Sequence, residues 1–327
     1  MEIFDFDDVM LVPRMCTLET RAHADVSAKL GNRTFKIPLM ASNMPSVLDE
    51  NIVIELAQNN YFYVMHRIDV DLVEFSRKMR DLQLFVSISI GVQEQSYKVV
   101  DSLVANDLIP DYVTIDVAHG HSLAMQRMIS YIKKAFGPKT FIIAGNVATA
   151  EGVVDLENWG ADAIKVGLGP GYVCSTSIRT GFGTRNWQLA AVRECARVAK
   201  KAVIIADGGC RLSGDIVKAL YMGADWVMSG YFYAGFIKSP SETEIVDGVP
   251  MKVYYGNASA RCKKSRSRVE GVSLMVPCEE GTLLEKLKGI EEDLQSAVSF
   301  AGGRCILDVR KCEYVIVRHS RGPKESG

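Results

Sequence analysis

The sequence predicts an α/β fold of the (β/α)8 TIM-barrel type, and three observations predict it. Short β-rich runs alternate with helical segments through most of the chain. Those runs are continuously apolar rather than alternating, the mark of strands buried on both faces in a parallel sheet. Eight of them follow one another without an intervening linker, which suits a closed barrel better than an open doubly wound sheet.

Taken in order, the strands are read at 38–44 (PLMASNM), 61–66 (YFYVMH), 84–90 (LFVSISI), 112–117 (YVTIDV), 140–146 (TFIIAGN), 163–167 (AIKVG), 202–207 (AVIIAD) and 226–230 (WVMSG). Helices fill the gaps, for example 49–59 and 188–199. Asp49 and Ser122 are placed to cap helix N-termini, because their side-chain oxygens can accept the first free N–H groups. Gly160 and Gly223 stand where helices stop, since glycine adopts the left-handed conformation that ends them. Successive strand starts lie 23 to 28 residues apart, except that 39 separate the sixth from the seventh. Extra residues in a strand-to-helix connection sit at the barrel's C-terminal mouth, where such barrels carry their chemistry.

The ends break the rhythm. Residues 1–37 precede the first barrel strand and are expected to cover the bottom or side. Residues 231–280 read as a short hairpin followed by a polar, basic loop, a mobile flap on a single domain spanning 1–327. Leu283, Leu287, Ile290, Leu294 and Val298 then recur at helical spacing and predict a final barrel-covering helix.

Composition narrows the function classes. Lys+Arg 38 against Asp+Glu 39 leaves a formal charge of −1, with no global positive field to hold nucleic acid or a membrane surface. No stretch approaches the ~20 apolar residues of a membrane helix. The acidic opening MEIFDFDDVM is unlike a secretory signal. Eight cysteines without a CxxC pair point to a reducing cytoplasm and free thiols.

The long sixth connection reads GLGPGYVCSTSIRTGFGT, residues 167–184. Its glycines at 167, 169 and 171 let backbone approach a ligand or ion. Tyr172 occupies the third glycine position of a dinucleotide fingerprint, so that reading is set aside. Cys174, beside Ser175 and Thr176, sits in a polar loop where a thiolate could be reached and hydrogen-bonded; an incidental loop cysteine remains open at this point. Strand seven ends in Asp207-Gly208-Gly209 and strand eight in Gly230. Loops after strands seven and eight of such barrels often cradle phosphate, and Asp207 can accept hydrogen bonds from ribose hydroxyls. Asp116 ends strand four and is a candidate to touch a ligand. His119 and His121, two apart on an extended segment, point to opposite sides and make a poor metal pair. Arg261, Lys263, Lys264, Arg266 and Arg268 form a basic run whose default is a solvated loop. Glu270 follows, a carboxylate that flap closure could bury as a general acid or base.

GxGPGxxCxT, ADGG, VMxGxxxAG, YYGNAS and the late flap glutamate occur in this order. Together they resemble the IMP dehydrogenase/GMP reductase family, over nearly the whole chain from FDFDDVMLVP onward. The match is closer to the GMP reductases in their shorter bacterial form. No inserted domain separates strands two and three, the flap lacks the Arg-Tyr pair that activates water in the dehydrogenases, and Glu270-Gly271 stands where the reductases carry their glutamate. The resemblance implies NADPH-dependent reductive deamination of GMP to IMP with release of ammonia, through a cysteine thioimidate. Cys174, Thr176 and Glu270 would be catalytic. Asp207, Gly208, Gly209, Gly230 and Gly256 would bind substrate. Asp116, Ile204, Ala206, Asp207, Gly208, Gly209, Met228 and Gly230 would line the cofactor site. Gly169 and Gly171 would offer carbonyls to a monovalent cation such as K+, and the assembly would be a homotetramer in purine salvage. IMP dehydrogenase and a non-catalytic purine-nucleotide barrel are the alternatives. Tyr172, Asn257-Ala258 and a short flap depart from the longer reductases.

Overall fold

The computed structural model describes residues 1–263 and 269–317. Its centre is an eight-stranded parallel sheet of Leu39–Ala41, Phe62–Tyr63, Ser87–Ile90, Tyr112–Asp116, Phe141–Val147, Ala163–Val166, Val203–Asp207 and Trp226–Ser229. Strand eight pairs in parallel with strand one, and strand one with strand two. Met65 completes the circle: its N–H donates to the Ser87 carbonyl at 3.1 Å, and its carbonyl accepts from the Ser89 N–H at 2.8 Å. The chain is therefore a nearly closed α/β barrel with helices outside.

The caps lie where the sequence puts them. Asp49 accepts from the Ile52 N–H at 2.9 Å at the start of the helix Glu50–Gln58. Ser122 accepts from Met125 at 3.3 Å ahead of Leu123–Phe136. Gly160 and Gly223 adopt φ of 105° and 110°, values that charge any other residue for a clash with its own Cβ. Leu283–Phe300 forms the last helix, with Leu283, Leu287, Ile290, Leu294 and Val298 all buried. Several strands are shorter than their apolar runs. Residues 42–44 leave strand one in a turn, where the Met44 N–H donates to the Ser42 carbonyl at 2.8 Å.

The bottom of the barrel is closed by an aromatic plug. Phe35 ends the hairpin Ala28–Leu30/Arg33–Phe35 and meets Phe62, Phe85 and Trp226 edge-on at 5.2, 5.4 and 5.8 Å between centroids. Phe62, Tyr112 and Trp226 are the first residues of their strands, so the plug seals the end opposite the mouth. Phe35→Ala should cost about 3–5 kcal/mol of stability, the usual range for emptying a buried aromatic site. Denaturant unfolding checks this; a loss under about 1 kcal/mol would mean the ring closes nothing.

Residues 243–277 hold a three-stranded antiparallel sheet of Thr243–Val246, Val249–Tyr255 and Ser273–Pro277. Asp247 and Gly248, with φ of 52° and 81°, make the hairpin turn that the DG pair encodes. The third strand departs from the expected polar loop. It pairs Tyr255 with Ser273, and so returns the chain beside the base of the hairpin and carries Glu270 to the mouth.

Candidate active site

The glycines of the sixth connection seat it on strand seven. Gly167 has φ of 146°, and a Cβ there would lie 2.2 Å from the Asp207 carbonyl oxygen. Only glycine permits that approach. Downstream, the Cys174 N–H donates to the Gly171 carbonyl at 3.0 Å and closes a turn that lifts the thiol out of the loop. Cys174 Sγ lies 3.1 Å from Thr176 Oγ1, and the Thr176 hydroxyl donates to Glu270 Oε2 at 2.9 Å. Because that hydroxyl spends its one proton on the carboxylate, the thiol donates to the hydroxyl oxygen. A continuous line thus runs from sulfur to carboxylate.

Glu270 is held there by backbone. Its carbonyl accepts from the Ser175 N–H at 2.8 Å, and its own N–H donates to Ala258 at 3.0 Å. Gly271 bridges both Cys174 and Ser259. A Cβ on Gly271 would meet the Ser259 nitrogen at 2.8 Å, so the crossing of flap and cysteine loop needs a glycine. The thiol, the hydroxyl and the carboxylate are one cluster, although 94 residues separate Thr176 from Glu270.

Beside it lies a charged centre that sequence reasoning missed in part. Lys165 is 1% exposed, with Nζ 2.5 Å from Asp116 Oδ1 and 3.1 Å from Asp207 Oδ2. Asn146 Nδ2 also donates to Asp207 Oδ2 at 2.8 Å and to the Gly167 carbonyl at 2.7 Å. Asp116 Oδ2 accepts from Asn43 Nδ2 at 3.0 Å and faces Arg67 Nη1 at 3.6 Å. Burial alone would raise the Asp116 pKa, but Lys165 and Arg67 outweigh it and hold the carboxyl at about 2. Burial likewise disfavours charge on Lys165, yet the two aspartates push it up to about 12. The lysine's contribution to stability is thus complete below its ordinary 10.5 and fades only as pH rises through about 12. That of Asp116 is complete above 3.8 and fades as pH falls through about 2.

The remaining predicted residues divide. Gly208 and Gly209 have φ of 85° and 90°. A Cβ on Gly209 would strike Phe6 at 2.9 Å, so this glycine also admits the N-terminal segment under the loop. Gly230 faces Tyr254, whose hydroxyl would be 2.5 Å from an added Cβ, and Gly256 lies against Val173. Met228 sits beneath Lys165, its Sδ 4.0 Å from Nζ. Ile204 and Ala206 do not reach the mouth with their side chains. They alternate with Asp207 along strand seven, are buried, and face the helix layer. Tyr172 is half-exposed, with its ring edge-on to Tyr231 and the Arg211 guanidinium over its face. His121 pairs with Asp155 at 2.8 Å. Arg261 pairs with Glu242 and covers Tyr255, whereas Lys264, Arg266 and Arg268 lie outside the described residues.

The chain is similar to known proteins over nearly its whole length. Residues 3–327 match the IMP dehydrogenase / GMP reductase domain. A GMP reductase of Paracidovorax citrulli is 51% identical over 317 residues, 97% of each chain. One of Leptothrix cholodnii is 52% identical over 317 residues, again 97% of each. One of Mesoplasma florum is 48% identical over 320 residues, 98% of this chain and 99% of its own. With residues 3–327 matched, and with Cys174, Thr176 and Glu270 gathered at the mouth of the barrel, the chain belongs to the IMP dehydrogenase/GMP reductase family.

Proposed function

We propose that the chain catalyses the NADPH-dependent reductive deamination of GMP to IMP with release of ammonia. The observation that carries this reading is the hydrogen-bonded line Cys174–Thr176–Glu270. Cys174 sulfur attacks purine C2, and its proton passes through the Thr176 hydroxyl to Glu270. Glu270 then delivers that proton to the departing amine, which leaves as ammonia. What remains is a thioimidate, with sulfur bonded to C2. Bound NADPH supplies a hydride to C2. The sulfur then leaves as thiolate and takes up a solvent proton. One group thus serves as nucleophile and later as leaving group, which suits a thiol better than a hydroxyl.

Asp207 holds the ribose hydroxyls, Gly208, Gly209 and Gly230 hold the 5′-phosphate, and Gly256 also lines the substrate site. The residues at Asp116 suit a polar cofactor end. Arg67 Nη1 is buried beside Asp116 without a hydrogen-bond partner among the described residues, so a donor is free there. Met228 lies beneath this centre, and Ile204 and Ala206 contribute only backbone. A monovalent cation, K+, belongs to the same reading. The Gly171 carbonyl keeps a second lone pair after accepting from Cys174, and Gly169 stands in the same loop. The setting we assign is cytoplasmic purine salvage, as a homotetramer. Exposed Ile178 and Phe182 beside the cysteine loop support burial against another copy, and light scattering in solution would test it.

Purified protein given GMP and NADPH should lose the absorbance of the reduced nicotinamide and release one ammonia per nucleotide. Exchanging K+ for a bulky organic cation in the same assay should lower the rate. Reduction of NAD with IMP, and no reaction with GMP, would instead make the chain a dehydrogenase. GMP binding without turnover would leave a purine-sensing barrel.

A further inference from the structure

A lysine inside a barrel is costly unless its charge is matched. Lys165 rises from strand six and crosses the lumen to Asp116 on strand four and Asp207 on strand seven. Both acceptors end their strands at the mouth. Without the ammonium the two carboxylates would be left close together in a mostly buried space, and one would take up a proton or swing away. Each contact is also one-sided. Lys165 and Asn146 both bind Asp207 at Oδ2, while Lys165 binds Asp116 at Oδ1 and leaves Oδ2 to Asn43 and Arg67. Asp207 Oδ1 is thereby aimed away from the lysine. The network continues into the flap: Asn257 Nδ2 donates to the Asn43 carbonyl at 2.9 Å, and Asn43 in turn donates to Asp116.

We propose that Lys165 is a positioning residue that fixes the ribose-side carboxylate of Asp207 and the cofactor-side carboxylate of Asp116 in one mutual orientation. This rests on the assignment of Asp207 to the ribose and Asp116 to the cofactor. The ammonium ties the carboxylate assigned to the ribose to the one assigned to the cofactor, and through Asn43 the same centre reaches the base of the flap.

The groups that face Asp116 are Lys165, Arg67, Asn43 and, across the lysine, Asp207. Removing Lys165 therefore makes the Asp116 carboxyl harder to ionise. In Lys165→Met, kcat/KM for GMP should fall about 100-fold at neutral pH, on the scale seen when the support of a binding group is lost. The acid limb of its pH profile should move up by about one unit or more. Because Lys165→Met leaves Asp116 and Asp207 buried without their shared counter-charge, a folding control is needed, and the decisive comparison is Asp116→Asn against Lys165→Met/Asp116→Asn, in which charge is removed in a balanced pair. GMP affinity is measured by isothermal titration, and folding by circular dichroism. The double variant should bind GMP about tenfold or more weakly than Asp116→Asn, because Asp207 has lost its anchor. Equal GMP affinity in those two, or a folded Lys165→Met with wild-type kinetics and pH profile, would overturn the proposal and leave Lys165 a structural ion pair. Failure of the wild type to bind GMP would instead remove the underlying assignment before any variant is compared.

Discussion

Cys174→Ser should lose turnover by about 10⁴-fold or more while binding GMP within about threefold of wild type, the pattern of a lost nucleophile rather than a lost binding group. Serine keeps the size and the hydrogen bond to Thr176, so the loop has no reason to move. What it lacks is acidity. A thiol gives up its proton readily to the Thr176–Glu270 line, whereas a hydroxyl is several units less acidic. The departure step suffers as well, because an alkoxide leaves carbon far less readily than a thiolate. Steady-state assay with GMP and NADPH, alongside calorimetric titration of GMP, separates the two quantities. A variant retaining a tenth of the wild-type rate would show that sulfur takes no part in bond formation.

Glu270→Gln should lower kcat by about 10²–10⁴-fold, the usual worth of a positioned acid or base, with little change in GMP affinity. The amide oxygen can still accept from Thr176, so the crossing at Gly271 and the backbone contacts to Ser175 and Ala258 persist. The amide cannot take the thiol proton and pass it on, and an amine without a proton is a poor leaving group. Ammonia release in a single turnover should therefore slow as much as kcat, and hydride transfer, which follows it, can run no faster. A large loss of GMP affinity, with ammonia release at its wild-type rate once GMP is saturating, would place Glu270 in binding rather than in proton transfer.

Much of the fold was legible because parallel barrel strands are apolar on both faces and their helices carry ordinary caps. Strand lengths were less so. The run 38–44 reads as strand to its end, yet Ser42–Met44 turn into the mouth, and the polar Ser42-Asn43 pair was the signal that the strand stops at Ala41. The strand Ser273–Pro277 was missed because five residues beside a basic loop carry too weak a pattern, and its partner lies across the flap. In the site, Cys174 and Asp207 announced themselves by following strand ends and sitting among glycines. Lys165 did not. A lysine in AIKVG reads as surface, and its partners lie 49 and 42 residues away. One signal was available: a single charge inside an otherwise apolar barrel strand implies an acid facing it from another strand. Alternation along strand seven could likewise have separated Ile204 and Ala206 from Asp207.

The account stands on a bond between Cys174 and the substrate base. Protein incubated with GMP in the absence of NADPH, then quenched in acid and digested, should carry a purine nucleotide adduct on the peptide containing Cys174, detected by mass spectrometry. That adduct should disappear when NADPH is added before the quench. An unmodified Cys174 peptide under these conditions, from protein that still converts GMP to IMP at its full rate, would contradict it.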